Sequence, residues 1–133
     1  IDYAHTPDAL KKILFAYKVK NIKPSLLFGC GGERDKSKRK VMGLIANKYA
    51  NRIYITDDNP RNENSSEIRK NILKYCPRAY EISDRKKAIK VAIKELKMNE
   101  ILILAGKGHE KIQIIKNKQI KFDDSEVVKQ FIN

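Results

Sequence analysis

Four short stretches of this 133-residue sequence carry residue types suited to gripping a small charged molecule. Gly29-Cys30-Gly31-Gly32-Glu33-Arg34-Asp35 is rich in glycine, which lets backbone N–H groups approach an anion. It is not a nucleotide fingerprint. Arg34 stands where GxGxxG needs its third glycine, and GxxxxGK followed by Ser or Thr occurs nowhere in the chain. The same glycines serve equally well as a tight turn between a strand and a helix. Arg34, just past that turn, is the residue best placed to reach a carboxylate or phosphate. Asp58-Asn59-Pro60-Arg61 combines a rigid proline, an amide that donates and accepts, and a guanidinium fork matched to a carboxylate. On residue chemistry alone, the plainer reading of that stretch is an exposed turn with a solvated arginine. In Gly106-Lys107-Gly108-His109-Glu110, His109 and Glu110 are a candidate acid–base pair. Equally, Glu110 could hold a ligand ammonium while His109 is structural. Asp2 and His5 precede a helix start, where ribose and phosphate groups can be met; the alternative is a capped helix and nothing more.

The elements that must position these residues follow from periodicity. Thr6 caps a helix with Pro7 at its first position, and Leu10, Ile13, Leu14 and Tyr17 recur at helical spacing. Residues 25–28 form a short apolar strand. The basic stretch 34–40 leads into a helix expected to turn Val41, Leu44, Ile45 and Tyr49 to one face. Residues 52–56 form a second strand, stopped at Pro60. Ser65 or Ser66 is expected to cap a helix carrying Ile68, Ile72 and Tyr75. Residues 79–82 form a brief strand, and Asp84 caps a helix with Ala88, Ile89, Ala92, Ile93 and Leu96 as its stripe. Residues 101–105 are the most apolar strand and are expected at the centre of the sheet. A hairpin is expected between 112–115 and 119–122, around Asn117 and Lys118. Asp123 or Asp124 caps a last helix. Alternating strands and helices imply a three-layer, Rossmann-like α/β fold, a mostly parallel sheet with helices on both faces and a C-terminal hairpin. Ligands of such sheets bind beyond the carboxyl ends of the strands, where the loops at 29–35, 57–61 and 106–110 should meet.

Composition narrows the function classes. At 41% hydrophobic and 34% charged residues the chain reads as one globular domain over 1–133. No apolar run is long enough to span a bilayer, so no membrane partner is expected. The opening residues lack the basic-then-apolar pattern of a leader, which gives the expectation of a cytoplasmic protein. They also lack Met, as a fragment would. Cys30 and Cys76 form no CxxC pair, and two thiols with two histidines make no zinc pattern, so no metal site is expected. The net charge of +13 could attract nucleic acid, but the lysines are spread along the chain without interleaved aromatics or a recognition motif. No nucleic-acid partner is expected; the charge favours anionic small molecules by steering.

Taken together, the segments resemble the Mur ligases. Asp2-Tyr3-Ala4-His5-Thr6-Pro7 matches the opening of that family's C-terminal domain. Residues 29–39 match the GCGG-D/E-RD-K-x-KR segment of its tripeptide-forming members, 56–61 match TDDNPR, 105–110 match AGKGHE, and 122–126 match an FDD-x-E ending. Each match alone is weak, but five in order over nearly the whole chain are specific. The resemblance implies a Mur ligase C-terminal domain, with the N-terminal UDP-substrate domain and the central ATPase domain on other segments. It implies an ATP- and Mg2+-dependent enzyme that activates UDP-MurNAc-L-Ala-D-Glu as an acyl phosphate and adds meso-diaminopimelate. By motif position, Arg34, Asp58, Asn59, Pro60, Arg61, Gly106 and Glu110 would line the amino-acid pocket, with Asp2 and His5 near the nucleotide. No catalytic residue is assigned.

Physics agrees with that implication. Diaminopimelate exceeds lysine by one carboxylate, and a buried guanidinium left without it costs about 3–5 kcal/mol. Such a cost corresponds to selectivity of ~100-fold or more. The alternatives are a lysine-adding or folylpolyglutamate-type ligase, a basic nucleic-acid-binding module, or a stand-alone nucleotide-binding module. The folylpolyglutamate type typically opens Asp-Gly-Ala-His-Asn-Pro and lacks the DNPR loop, so Tyr3, Thr6 and Arg61 argue against it.

Overall fold

In the computed structural model, which describes residues 1–132, five helices surround a four-stranded parallel sheet and a separate hairpin. The order is α1 (Pro7–Val19), β1 (Ser25–Phe28), α2 (Ser37–Tyr49), β2 (Ile53–Ile55), α3 (Ser65–Leu73), β3 (Tyr80–Glu81), α4 (Arg85–Glu95), β4 (Leu102–Leu104), β5 (Ile112–Ile115), β6 (Lys118–Lys121) and α5 (Asp124–Phe131). The sheet runs β3-β2-β1-β4, all parallel, while β5 and β6 pair antiparallel. Three layers result because strand side chains alternate between faces. Leu26, Phe28, Ile53, Ile55 and Ile103 pack with Leu10 and Leu14 of α1, Met42 and Ala46 of α2, and Ile68 and Ile72 of α3. Leu27, Tyr54 and Leu104 meet Ala88, Ile89 and Ala92 of α4 and Val127 of α5. Both faces of the sheet are thus covered, as the unbroken apolar strands require.

Several local expectations are corrected. The strand at 101–105 is not central: β1 lies between β2 and β4, and β4 forms the end of the sheet, with only an isolated bridge from Asp2 to Ala105 beyond it. Its apolar character reflects helices on both faces, which an end strand of a covered sheet shares with a central one. Helix α2 buries Arg39, Met42, Gly43 and Ala46, while Val41 and Leu44 are exposed. The small residues win the inner face because α2 lies close to α3: a Cβ on Gly43 would sit 2.8 Å from the Ile72 carbonyl oxygen. Asn64 caps α3, its side chain accepting from the amides of Ser66 and Glu67, so Ser65 already lies inside the helix. The hairpin turns at Lys116 and Asn117, with Lys116 in the left-handed region (φ 55°). Thr6, Asp84 and Asp123 cap α1, α4 and α5.

One ion pair in the interior was not apparent from the sequence. Arg85, at the start of α4, and Asp124, at the start of α5, are joined by two hydrogen bonds of 2.8 Å and both side chains are fully buried. The guanidinium also donates to the carbonyl oxygens of Ala105 and Asp57, at 3.3 and 3.4 Å. It therefore ties both helices to the ends of β4 and β2. Burial pulls its pKa down, but the Asp124 bonds and nearby Asp58 and Glu110 more than offset that and raise it. Removing one partner strands the other charge, so Asp124→Leu is expected to cost about 3–5 kcal/mol in chemical denaturation. The double change Arg85→Met with Asp124→Leu should cost clearly less than the single one; an equal or larger cost would contradict this account.

Candidate functional site

The three loops leave the carboxyl ends of β1, β2 and β4 and meet. They enclose a cleft of about 260 Å³ lined by Arg34, Asp58, Asn59, Arg61, Gly106 and Glu110, with His5 at its margin. Tyr3, Gly29, Cys30, Gly31, Asp35 and Lys38 complete the lining. The sequence expects Pro60 in this lining and Asp2 near a nucleotide. Pro60 is buried behind the wall, and Asp2 borders a neighbouring hollow with Tyr3, Gly108 and His109. Asp2 is held there by its backbone, its amide donating to Leu104 O and its carbonyl accepting from Gly106 N.

Close backbone approach makes the cleft. A Cβ on Gly32 would fall 1.9 Å from the Pro60 carbonyl oxygen, and the Gly32 amide donates to Asn59 O at 2.8 Å. Only glycine lets these loops touch. Beyond that contact the segments exchange carboxylates: Glu33 Oε1 accepts from the Asn62 amide, and Glu63 Oε1 accepts from the Glu33 amide. Buried Arg39 holds the Glu63 carboxylate at 2.9 Å.

Arg61 adopts a left-handed backbone, φ 53°, which costs a non-glycine residue about 1–3 kcal/mol unless its surroundings compensate. Here they do. Its amide donates to Ile114 O at 3.1 Å, and its carbonyl accepts from Lys116 N at 2.6 Å. The hairpin thus holds the strained residue from outside. Arg61 Nη1 donates to Gly32 O at 3.0 Å and to Asn59 O at 3.4 Å, so this nitrogen is occupied and the guanidinium plane is set. Among the described residues, Nε and Nη2 have no hydrogen-bond partner. Arg61 is half-buried, not dry.

Asn59 works inward. Its amide oxygen accepts from Lys107 Nζ and from the Ile114 amide, both at 2.9 Å, which leaves its Nδ2 for the cleft. Lys107 is fully buried, donates also to Ile112 O at 2.7 Å, and lies 3.8 Å from Asp58. Burial pulls its pKa down, and Asp58 opposes that shift. Neither Lys107 nor Gln113, which donates to Asp58 O at 2.7 Å, was singled out from sequence. A lysine between two glycines after an apolar strand was the signal available for the first; nothing marked the second.

The charges in the cleft are mixed. Arg34, Arg61 and Lys38 face Asp35, Asp58 and Glu110, an arrangement suited to a ligand bearing both carboxylate and ammonium. Cys30 is no nucleophile, because burial first and Asp58 second push its thiol up to about 12. His109 is exposed near Tyr3, with ring centres 5.9 Å apart, and does not line the cleft, so a His109–Glu110 acid–base pair acting there is not formed. Among the described residues, no three His, Cys, Asp or Glu side chains group as a metal site. None of the described helices is long and apolar enough to cross a membrane.

The family model described as "Mur ligase, glutamate ligase domain" matches residues 1–108. The chain is 50% identical to the UDP-N-acetylmuramoyl-L-alanyl-D-glutamate--2,6-diaminopimelate ligase of Rickettsia typhi, over 99% of this chain and 28% of that protein. A solved structure of an enzyme of that name superposes with a TM-score of 0.90 at 38% identity, covering 98% of this chain and 28% of the other. A bifunctional folylpolyglutamate synthase/dihydrofolate synthase from Yersinia pestis superposes at 0.64 with 17% identity, over 80% of this chain and 25% of that one, a likeness of fold alone. The chain therefore spans less than a third of the length of these relatives.

Gly106 has φ +107°, and a Cβ there would sit 2.9 Å from Asp58 Oδ2. Gly106→Ala is expected to cost about 1–3 kcal/mol in the denaturation midpoint and to push Asp58 out of the cleft. A midpoint matching the parent would contradict the constraint.

Proposed function

The chain belongs to the Mur ligase family, and from that premise we propose that it is the amino-acid-receiving domain of an ATP-dependent amide ligase that joins meso-diaminopimelate to UDP-MurNAc-L-Ala-D-Glu. The observation that carries this reading is the meeting of Arg34, Arg61, Asp58 and Glu110 on one cleft at the carboxyl edge of the sheet. Arg61 offers its free edge to a carboxylate, and Glu110 receives the ammonium on the same carbon. Arg34, exposed at the rim with Nη1 on Glu33 O, is free to swing toward a second acid group. The amine at the far end of the ligand, once deprotonated, attacks the acyl carbon of the activated substrate. A C–N bond forms, the C–O bond to phosphate breaks, and phosphate leaves.

GxxxxGK followed by Ser or Thr occurs nowhere in the sequence, which supports assigning the activation step to another segment of the protein. His5 is exposed with Nδ1 at 2.9 Å from Tyr3 O, which leaves Nε2 without a protein partner among the described residues and suited to a nucleotide oxygen; Asp2 borders the neighbouring hollow. Among the described residues no three His, Cys, Asp or Glu side chains group to hold a resident metal, and Mg2+ would enter with the nucleotide phosphates. Nucleotide substrates and two buried free thiols favour a cytoplasmic setting.

Selectivity against lysine is smaller than for a dry, unpaired arginine, because Arg61 is half-buried and keeps its two carbonyl partners. A single charged hydrogen-bonded pair contributes about 1.5–3 kcal/mol, or roughly 10- to 100-fold. In the full-length enzyme, Arg61→Ala should raise KM for meso-diaminopimelate by that factor with little change in melting temperature. The 133 residues alone should form no tripeptide. Unaltered kinetics in the variant would reject the role given to Arg61.

A further inference from the structure

Lys107 sits where the two halves of the cleft are joined. Its ammonium reaches Asn59 Oδ1 at 2.9 Å and Ile112 O at 2.7 Å, so it bonds the Asp58–Arg61 loop to the first residue of β5. Its own carbonyl accepts from the Glu110 amide at 2.9 Å. The side chain thus grips the segment that ends in Arg61, while the main chain fixes Glu110. Gln113 adds a second tie from the hairpin, at 2.7 Å to Asp58 O. The Ile114 carbonyl completes it by accepting from the strained Arg61 amide. Three of these ties, Lys107 Nζ to Ile112 O, Gln113 Nε2 to Asp58 O and Arg61 N to Ile114 O, join a cleft loop to β5, which lies beyond the 1–108 match to the family model.

A buried ammonium is an expensive way to hold two loops together, and burial pulls its pKa down. Such a group is retained where apolar packing cannot supply direction. Lys107 does not line the cleft, so it does not touch a ligand there. What its bonds fix is the spacing between the guanidinium of Arg61 and the carboxylate of Glu110, and that spacing must match the carboxylate and ammonium on a single carbon.

We propose that Lys107, with Gln113, is a positioning latch that sets the Arg61–Glu110 spacing and through it the amine-donor selectivity of the ligase. The selectivity half of this rests on the function proposed above; the latch itself does not. Two arms separate them. In the first, amide hydrogen exchange is followed on the whole chain for Lys107→Met, which keeps the bulk of the stem and removes the ammonium. The Arg61, Ile114 and Lys116 amides should exchange at least ~10-fold faster, as expected for loss of one charged hydrogen bond, while those of β1 and β2 keep their protection.

In the second arm, full-length Lys107→Met should show KM for meso-diaminopimelate raised on the order of 10-fold, with kcat held nearly constant. The preference for meso-diaminopimelate over lysine should fall in step. A merely structural lysine would lower the amount of folded enzyme without moving either KM or that preference. Should Lys107→Met fail to fold, Gln113→Leu carries both arms, with the same changes expected. Faster exchange with an unchanged KM and preference would overturn the selectivity claim, and unchanged exchange at Arg61 would overturn the latch. Wild-type enzyme that ignores meso-diaminopimelate altogether would reject the functional reading, and the exchange arm would still decide the latch.

Discussion

The side-chain oxygen of Asn59 is the point on which the site depends. Two donors converge on it, the buried ammonium of Lys107 and the Ile114 amide, one from each of two segments distant in sequence from Asn59. Without that junction, the left-handed backbone of Arg61 would rest only on its own bonds to the Ile114 carbonyl and the Lys116 amide. The junction joins two loops to the hairpin, and the Asn59 backbone carbonyl adds the third loop by accepting from the Gly32 amide. Beneath it, the Arg85–Asp124 pair ties α4 and α5 to the ends of β2 and β4, so the rim stands on a fixed base.

This arrangement puts strain and buried charge at the one edge of the sheet where the sequence also concentrates polar residues. Elsewhere the fold obeys simple rules: apolar strands covered on both faces, small residues where α2 approaches α3, and side-chain caps on α1, α3, α4 and α5. A left-handed arginine, a fully buried lysine and a glycine pressed against a carbonyl depart from those rules together. Such departures cluster where a chain must present groups in a set geometry rather than merely pack. The mixed charge they present suits a zwitterion better than a polyanion, despite the large positive charge of the molecule as a whole.

Much of this was legible in the sequence, for physical reasons. Strand alternation with helices fixes the parallel sheet, and a parallel sheet sends its loops to one edge, so the meeting of residues 29–35, 57–61 and 106–110 followed from topology. What sequence could not supply was direction. Asn59 looks like a ligand residue, yet its oxygen faces inward to Lys107. Pro60 belongs to the same motif but lies behind the wall. The apolar run at 101–105 does not distinguish a central strand from an end strand covered on both faces. On α2, periodicity picked out Val41 and Leu44, whereas close approach to α3 selects the face that carries Gly43. Lys107 stands in a charged loop whose sequence gives it no role, and Gln113 and the Arg85–Asp124 pair carry no signal at all, because each is defined by a partner tens of residues away.

The most direct test is a structure of the full-length enzyme with meso-diaminopimelate bound. One carboxylate of the ligand should lie within about 3 Å of the Arg61 guanidinium, and the ammonium on the same carbon should face Glu110, with the Lys107–Asn59 bond intact beneath them. A ligand seated away from this cleft, with Arg61 turned to solvent, would contradict the account.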